Sequence, residues 1–287
     1  MSKVWLITGS ASGLGRDISE AVLACGDRLV AAARGIGRLD DLMQRYGEQI
    51  LPVELDVTDA LGAQEAVKAA ISKFGRLDVL VNNAGFGHML PFEQIDAADF
   101  RLEFETNFFG VVNLCRAAVP VMREQGSGHI IQISSVGGRL ASLGMSAYQS
   151  AKWAVGGFSD VLAAEVRPLG IQVTTLEPGG MRTNWALRAR GDDTPIMAPY
   201  QEHLGGRREL LRNLAGNENS DPARVAQVVL KIAEHAQPPL RLLLGSDALH
   251  YLAPVEAHRA ETAERWKAIS TAVDVTAQGP VPELPVH

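Results

Sequence analysis

A glycine-rich turn near the N-terminus joins a short apolar run to a helical pattern. The run is Lys3–Thr8, the helical pattern extends to about Cys25, and Gly9, Gly13 and Gly15 give the turn the spacing Gly-x-x-x-Gly-x-Gly. A strand, a tight turn and a helix N-terminus direct backbone N–H groups at one point, which suits the phosphates of a nucleotide. The alternative interpretation is a plain tight turn without a ligand. In both cases the chain is predicted to begin with a strand followed by a helix.

Strand and helix patterns then alternate along the chain. The apolar runs predicted to be strands are residues 3–8, 28–33, 50–55, 78–81, 129–134, 171–177 and 240–244. Strands that alternate with helices form a parallel sheet with helices on both faces, and its ligands bind at the carboxyl ends of the strands. No linker or internal repeat divides the sequence. We therefore predict an α/β fold in a single domain that spans residues 1–287.

The composition argues against several classes of partner. A net charge of −6 and a pI of about 5.7 disfavour binding to nucleic acid or to an anionic membrane. No apolar run is long enough to cross a bilayer. The seven histidines show no metal-ligand spacing, so we predict no metal site.

The N-terminus and the cysteines indicate the compartment. The sequence MSKVWLITG leads directly into the first predicted strand, without a signal peptide. Cys25 and Cys115 both lie in helical apolar patterns, which predicts two buried free thiols rather than a disulfide. We therefore expect a cytoplasmic protein.

Tyr148 and Lys152 are one helical turn apart, so both side chains project from the same face of a predicted helix. One unit charge about 4 Å away, at an effective dielectric constant of about 20, supplies about 4 kcal/mol, enough to lower a tyrosine pKa by roughly two to three units. Tyr148 would then exchange a proton with a carbonyl or an alcohol. Ser135, at the end of a predicted strand, could hydrogen-bond the same oxygen. Alone, the Tyr-x-x-x-Lys pattern is more typical of a packed ring beside a solvated lysine.

Arg34 follows the second predicted strand, whose last residue is Ala33. In dinucleotide-binding folds an acid at this strand end binds a free ribose 2′-hydroxyl, whereas a nearby arginine binds a 2′-phosphate. No acid appears before Asp40, and an arginine pairs with phosphate in bidentate fashion. This pattern favours NADP(H) over NAD(H). The alternative is a solvated loop arginine.

Three further candidates lie near strand ends. Asp56 could reach an adenine amino group or, like Thr58, cap the helix that follows. Residues 82–85, Asn-Asn-Ala-Gly, let the backbone approach a ligand, or form an ordinary turn. Asn107 lies within a helix predicted over 100–124, where asparagine is a poor helix former. Its side chain could hold the backbone open or bind water, or could simply be a satisfied polar group.

Residues 184–220 interrupt the alternating pattern with apolar side chains, glycines, prolines and arginines. A long irregular segment near a site is typically a lid or a binding loop, so we predict a substrate-binding lid. Its Trp185, together with Phe86 and Met89, favours an apolar substrate. Residues 253–287 form a C-terminal extension whose proline-rich end is predicted to be extended or mobile.

Taken together, these motifs resemble the classical short-chain dehydrogenase/reductase family over about residues 3–250. The C-terminal half is also similar to the branch with retinol- and 17β-hydroxysteroid-dehydrogenase-like oxidoreductases. The resemblance implies a Rossmann-like, doubly wound sheet of seven parallel strands in the order 3-2-1-4-5-6-7. The motifs that carry it, in the family's order and spacing, are Thr8-Gly9-x-x-x-Gly13-x-Gly15, residues 82–85, Asn107, Ser135, Tyr148-x-x-x-Lys152 and Pro178-Gly179 with Thr183.

The resemblance also implies roles for individual residues. Tyr148 would be the general acid/base, and Ser135 would orient and polarise the carbonyl. Lys152 would lower the tyrosine pKa and bind the nicotinamide ribose, and Asn107 would hold a water that links Lys152 to solvent. Residues 100–125 and 148–167 would pair into homodimers or homotetramers. The residues expected to contact the cofactor are Gly9, Ser12, Gly13, Leu14, Gly15, Arg34, Asp56, Val57, Asn83, Ala84, Gly85, Tyr148, Lys152, Pro178, Gly179, Met181 and Thr183.

We predict an NADP(H)-dependent oxidoreductase that interconverts a ketone or aldehyde and its alcohol. A sugar-nucleotide epimerase or dehydratase also uses a Tyr-Lys pair, but with the spacing Gly-x-x-Gly-x-x-Gly, which this turn does not have. A non-enzymatic NADP(H)-binding regulator on the same fold would be favoured by a missing member of the tetrad, and none is missing. A serine hydrolase is disfavoured because no Gly-x-Ser-x-Gly occurs.

Overall fold

A computed structural model describes residues 2–185, 194–206, 208–209, 213 and 215–285. Within them, seven strands form one sheet in which every neighbouring pair is parallel, in the order 3-2-1-4-5-6-7. The predicted fold class and strand order are confirmed. The strands are β1 (Val4–Thr8), β2 (Arg28–Ala33), β3 (Ile50–Glu54), β4 (Val79–Asn82), β5 (Gly128–Ile133), β6 (Ile171–Pro178) and β7 (Arg241–Leu244).

Helices cover both faces of this sheet. In the part of the chain that the structure describes, none of them has both the length and the hydrophobicity needed to cross a bilayer. The helices are α1 (Gly13–Ala24), α2 (Asp40–Tyr46), α3 (Ala60–Phe74), α4 (Ala97–Phe104), α5 (Gly110–Gln125), α6 (Ser146–Val166), α7 (Pro222–Glu234), α8 (Ser246–Arg265) and α9 (Lys267–Thr271). Single helical turns occur at Ile36–Leu39, Gly47–Gln49, Val136–Gly138 and Arg167–Leu169.

The sheet separates two apolar cores because consecutive strand residues point to opposite faces. In β1, Trp5 and Ile7 pack in the core that contains side chains of α1, α2 and α7, whereas Leu6 packs in the core that contains α3, α5 and α6. Every residue of β1 is buried. Burial on both faces explains why this strand has a continuous apolar run in the sequence.

The helix predicted over 100–124 is divided into two. It begins earlier, at Ala97, because Asp96 caps α4 by accepting a hydrogen bond of 2.7 Å from the Ala98 N–H. A single turn of π-helix, Glu105–Phe109, then separates α4 from α5. Such turns are often found at functional sites, and this one contains the buried Asn107.

The predicted cap of α3 is wrong by one residue. Asp59, not Thr58, is the capping residue, and its Oδ1 accepts a hydrogen bond of 2.9 Å from the Leu61 N–H. Thr58 instead donates from its backbone N–H and its hydroxyl to Asp56 Oδ1, at 3.0 and 2.9 Å. The Asp56 carboxylate is therefore held within the turn that precedes α3.

The two cysteines differ in exposure. Both thiols are free, and Cys115 is buried in α5, but Cys25 is exposed. The prediction of two buried thiols is therefore wrong for Cys25. Helix α1 ends at Ala24, so Cys25 occupies the C-cap position and no longer follows the buried face of the helix.

The structure describes only part of the predicted lid. Residues 186–193, 207, 210–212 and 214 of that segment lie outside the described residues. In the remainder, a helical turn at Ala198–Tyr200 continues into one turn of π-helix at Gln201–Gly205. Leu204 in that turn is buried in an apolar cluster with Met89 and Tyr148.

Candidate active site

The carboxyl ends of the strands open into one cavity of about 980 Å³. All the predicted site residues line it except Gly15. Gly15 instead allows close packing of α1 on the turn, since an added Cβ would lie 2.3 Å from the Gly9 carbonyl oxygen. The four residues of the predicted tetrad, Asn107, Ser135, Tyr148 and Lys152, share this cavity with the glycine-rich turn.

The glycine-rich turn leaves the N-terminus of α1 available to an anion. Gly9 and Gly13 adopt left-handed backbone conformations, with φ of +70° and +55°. Helix α1 has no capping side-chain hydrogen bond at Ser12 and no acidic residue in its first turn. Its first N–H groups therefore fit a phosphate group, which both the helix dipole and hydrogen bonding would favour.

Thr8 connects the turn to the loop after β4. Its hydroxyl accepts hydrogen bonds from the backbone N–H groups of Asn83, at 2.9 Å, and Ala84, at 3.0 Å. The Asn83 side chain donates back to the Thr8 carbonyl at 2.9 Å. The loop therefore keeps a fixed position beside the glycine-rich turn, with its backbone lining the cavity.

Two arginines line the end of the cavity that adjoins β2. Arg34 was predicted from its position after the strand, and Arg38 joins it from the helical turn Ile36–Leu39. The backbone carbonyl of Arg38 accepts a hydrogen bond of 3.0 Å from Arg16 Nη1. The sequence analysis missed Arg38, although it is the next arginine after Arg34 in the same connection between β2 and α2.

Tyr148 is buried, with 8 % of its surface exposed. Its ring lies 4.9 Å from the Trp185 ring, measured between centroids. Burial raises the pKa of the phenol to about 12, with a lowering contribution from a hydrogen bond to the Ser135 side chain and a raising one from the charge of Glu103. The sequence analysis predicted that Lys152 would lower this pKa, whereas here the pKa is raised, because desolvation has the largest effect.

Lys152 is also buried, with 5 % of its surface exposed. Its ammonium donates a hydrogen bond of 2.8 Å to the Ile133 carbonyl oxygen and lies 5.7 Å from the centroid of the Tyr148 ring. Burial lowers its pKa to about 8. Burial therefore disfavours the charged forms of both Tyr148 and Lys152. The spacing of the two residues along a helix does not reveal this burial.

Ser135 follows β5 and caps the short turn at Val136–Gly138. Its Oγ accepts a hydrogen bond of 3.0 Å from the Gly137 N–H, and its side chain also hydrogen-bonds Tyr148. Ser135 and Tyr148 both line the cavity.

The Asn107 side chain is fixed by the loop after β4. Its Nδ2 donates to the carbonyl oxygens of Phe86, at 2.8 Å, and Glu103, at 2.9 Å, while Oδ1 accepts from the Phe86 N–H at 3.1 Å. An added Cβ at Gly85 would lie 2.4 Å from Oδ1. The side chain thus holds the loop in place, and the water-binding role of Asn107 stays a prediction.

Helix α8 contributes residues that the sequence analysis did not assign. Asp247, Tyr251 and Val255 are spaced by four residues and all line the cavity from one face of α8. Asp247 Oδ2 accepts a hydrogen bond of 2.7 Å from the Gly180 N–H and so holds the turn after β6. The spacing by four residues was the available signal for this face.

Comparisons with known proteins agree with this arrangement. The family profile described as short chain dehydrogenase matches residues 3–193. Oxidoreductase BOA17 of Botryotinia fuckeliana is 47% identical over 273 residues, which cover 95% of this chain and 99% of that protein. A solved short-chain dehydrogenase from Streptomyces avermitilis is similar with a TM-score of 0.86 and 39% identity, over 96% of this chain and 100% of that chain.

A short chain dehydrogenase from Burkholderia cenocepacia, solved in complex with NADP, has a TM-score of 0.71 and 25% identity. The similarity covers 92% of this chain and 97% of that chain. The sheet order, the cavity at the strand ends and these matches lead to one conclusion. The chain belongs to the short-chain dehydrogenase family of oxidoreductases.

Proposed function

We propose that the protein is an NADP(H)-dependent oxidoreductase that interconverts a ketone or aldehyde and the corresponding alcohol. The observation that carries this proposal is the placement of Tyr148, Ser135 and Lys152 in one cavity with the glycine-rich turn at the start of α1. A proton donor, a second hydroxyl and a cation are the groups that carbonyl reduction requires.

The cavity fits a nicotinamide dinucleotide. The glycine-rich turn and the N-terminus of α1 would hold its phosphates, and the residues after β4 and β6 would approach it through their backbones. When bound, the cofactor supplies a hydride or accepts one. Arg34 and Arg38 at the end of β2 support NADP(H), since guanidinium groups suit a 2′-phosphate. The NADP complex of the Burkholderia cenocepacia protein is consistent with this choice.

In the direction of reduction, Tyr148 donates its proton to the carbonyl oxygen as negative charge develops there. A pKa of about 12 keeps the phenol protonated at neutral pH, so it is ready to act as a donor. Ser135 donates a hydrogen bond to the same oxygen. Lys152 supplies the positive charge that favours the phenolate left after transfer, and it would bind the nicotinamide ribose. Proton flow reverses when an alcohol is oxidised.

Part of the cavity lining is apolar and suits an apolar substrate. Phe86, Met89, Leu140, Met145, Trp185 and Val255 contribute to it. Leu204, from the predicted lid, is buried against Met89 and Tyr148. We therefore assign residues 184–220 to substrate binding, within one domain that spans the chain.

We also propose a homodimer or homotetramer, paired through α5 and α6. Three exposed large apolar side chains lie there: Phe109, which directly precedes α5, and Trp153 and Val161, which are in α6. Their burial between two copies would remove apolar surface from water.

The test is a NADPH-oxidation assay with a panel of aromatic, alicyclic and short aliphatic ketones and aldehydes, run beside NADH. We expect turnover with apolar carbonyls and a higher kcat/KM for NADPH than for NADH. A protein that binds NADPH but neither reduces any carbonyl of the panel nor oxidises the matching alcohols would contradict the proposal. This outcome would favour a non-enzymatic NADP(H)-binding protein.

A further inference from the structure

A buried carboxylate near the candidate catalytic tyrosine has no role in the chemistry proposed above. The side chain of Glu103, in α4, is fully buried. Its Oε1 accepts a hydrogen bond of 3.0 Å from the His88 N–H and lies 2.9 Å from His88 Nδ1, which can donate a second. Within the described residues, Oε2 is buried without a hydrogen-bond partner. Burying a carboxylate costs free energy, and a role of its two contacts in fixing the conformation around His88 would explain why it is kept.

Glu103 and Asn107 lie four residues apart and hold the same loop at two points. Asn107 binds both backbone polar groups of Phe86, and Glu103 binds the backbone N–H and the ring of His88. The residue between these two anchors is Gly87. An added Cβ at Gly87 would lie 2.9 Å from Cδ2 of Tyr148, so the loop backbone packs directly on the tyrosine ring.

A second contact to the tyrosine comes from Trp185, whose ring centroid lies 4.9 Å away. The Tyr148 ring is therefore confined by the loop backbone and by an aromatic side chain, and its hydroxyl meets Ser135. Neither Glu103 nor His88 lines the cavity, whereas Phe86 and Met89 on either side do. The Glu103 side chain thus makes its hydrogen bonds to the loop and not to the cavity, and its charge additionally raises the pKa of Tyr148.

We propose that Glu103 is a positioning residue that, through His88, holds residues 86–88 against the ring of Tyr148 and so fixes the phenol beside Ser135. This inference rests on the proposed function, because it assumes that Tyr148 carries the proton. A displacement of about 1 Å at a reacting group lowers turnover by about 100-fold. Loss of the anchor should therefore reduce kcat more than it affects cofactor binding.

The test compares Glu103→Ala, Glu103→Gln and Glu105→Ala. Glutamine keeps an oxygen that accepts from both His88 donors, whereas alanine removes both contacts. Glu105 is an exposed glutamate two residues away and serves as the matched control. For each variant we would measure kcat, KM and the NADPH Kd. In the cofactor-free protein we would also measure hydrogen exchange of the amides in residues 84–92, with thermal unfolding as a check on folding.

We expect Glu103→Ala to lower kcat by about 10- to 100-fold with the NADPH Kd nearly unchanged, and to speed exchange at the His88 amide. Glu103→Gln should recover most of the activity, and Glu105→Ala should match the wild type. A folded Glu103→Ala variant with wild-type kcat and unchanged exchange would overturn the proposal. So would a glutamine variant as impaired as the alanine one. Tyr148→Phe, assayed in parallel, separates the two ideas: if it keeps full activity, the proposed function itself fails.

Discussion

The Lys152 ammonium donates a hydrogen bond of 2.8 Å to the carbonyl oxygen of Ile133, the last residue of β5. This bond connects the helix that carries Tyr148 to the strand that leads to Ser135. It also explains how a buried lysine is tolerated, since a polar group receives one of its hydrogens. The bond thus links the helix and the strand that carry Tyr148, Lys152 and Ser135, the three side chains on which the proposed chemistry depends.

The first prediction concerns the pH dependence of catalysis. Because burial lowers the pKa of Lys152 to about 8, its ammonium form is lost as pH rises through that value. Tyr148, with a pKa of about 12, remains protonated there. The kcat/KM for NADPH, which reports ionisations of the free enzyme, should therefore fall above about pH 8. Lys152→Arg should be slower overall but lack this fall, because arginine stays protonated. The same alkaline fall in that variant would assign it to another group.

The second prediction concerns the choice of cofactor. Replacing Arg34 by aspartate removes a phosphate partner and adds a repelling charge. Hydrogen bonds between charged groups contribute about 1.5–3 kcal/mol, so the ratio of kcat/KM for NADPH to that for NADH should fall by about 10- to 100-fold. Arg38→Ala should lower the ratio less. Arg45→Asp, at an exposed position on α2, is the control and should leave it unchanged. An unaltered ratio in Arg34→Asp would mean that the phosphate is recognised elsewhere.

The third prediction compares two helical glycines. An added Cβ at Gly15 would meet the Gly9 carbonyl oxygen at 2.3 Å, so Gly15→Ala must displace the glycine-rich turn. We expect a lower Tm and at least about tenfold weaker NADPH binding. Gly157, exposed in α6, has nothing within 4 Å of an added Cβ. Because Gly157 shares a face of α6 with Trp153 and Val161, the free energy of unfolding is to be compared in the monomeric protein, where Gly157→Ala should stabilise the fold by about 0.5–1 kcal/mol. Normal NADPH affinity in Gly15→Ala would show that the turn does not bind the cofactor.

The features that could be predicted from the sequence are those with a local pattern. The apolar runs gave the strands to within one or two residues, because buried parallel strands are apolar on both faces. The spacing of Tyr148 and Lys152 placed them on one helix face, and Arg34 was found from its position after β2. The strand order came from the resemblance of the motifs to a known family.

The features that could not be predicted depend on contacts between distant segments. Glu103 and His88 are fifteen residues apart, and neither belongs to a motif. The raised pKa of Tyr148 follows from burial, which spacing along a helix does not determine. The π-helical turn around Asn107 likewise depends on the loop that its side chain binds.

The fourth prediction concerns stability in acid. His129 is buried in β5, its Nε2 lies 3.0 Å from Thr174 Oγ1, and burial lowers its pKa from 6.5 to about 4. Between these values the unfolded chain binds more protons than the folded one, so stability falls as pH decreases from about 6.5 to 4. The shift corresponds to up to about 3 kcal/mol. His129→Gln should flatten this part of the profile in urea unfolding. An equally steep loss in the variant would place the acid sensitivity in other groups.

The most direct test of the central claim is turnover by Tyr148→Phe. Phenylalanine keeps the ring that packs against Gly87 and Trp185 and removes only the hydroxyl. We predict that the variant binds NADPH within about threefold of the wild type while its kcat for carbonyl reduction falls by about 10²- to 10⁴-fold. A variant that reduces the same carbonyl at the wild-type rate would contradict the assignment of Tyr148 as the proton donor.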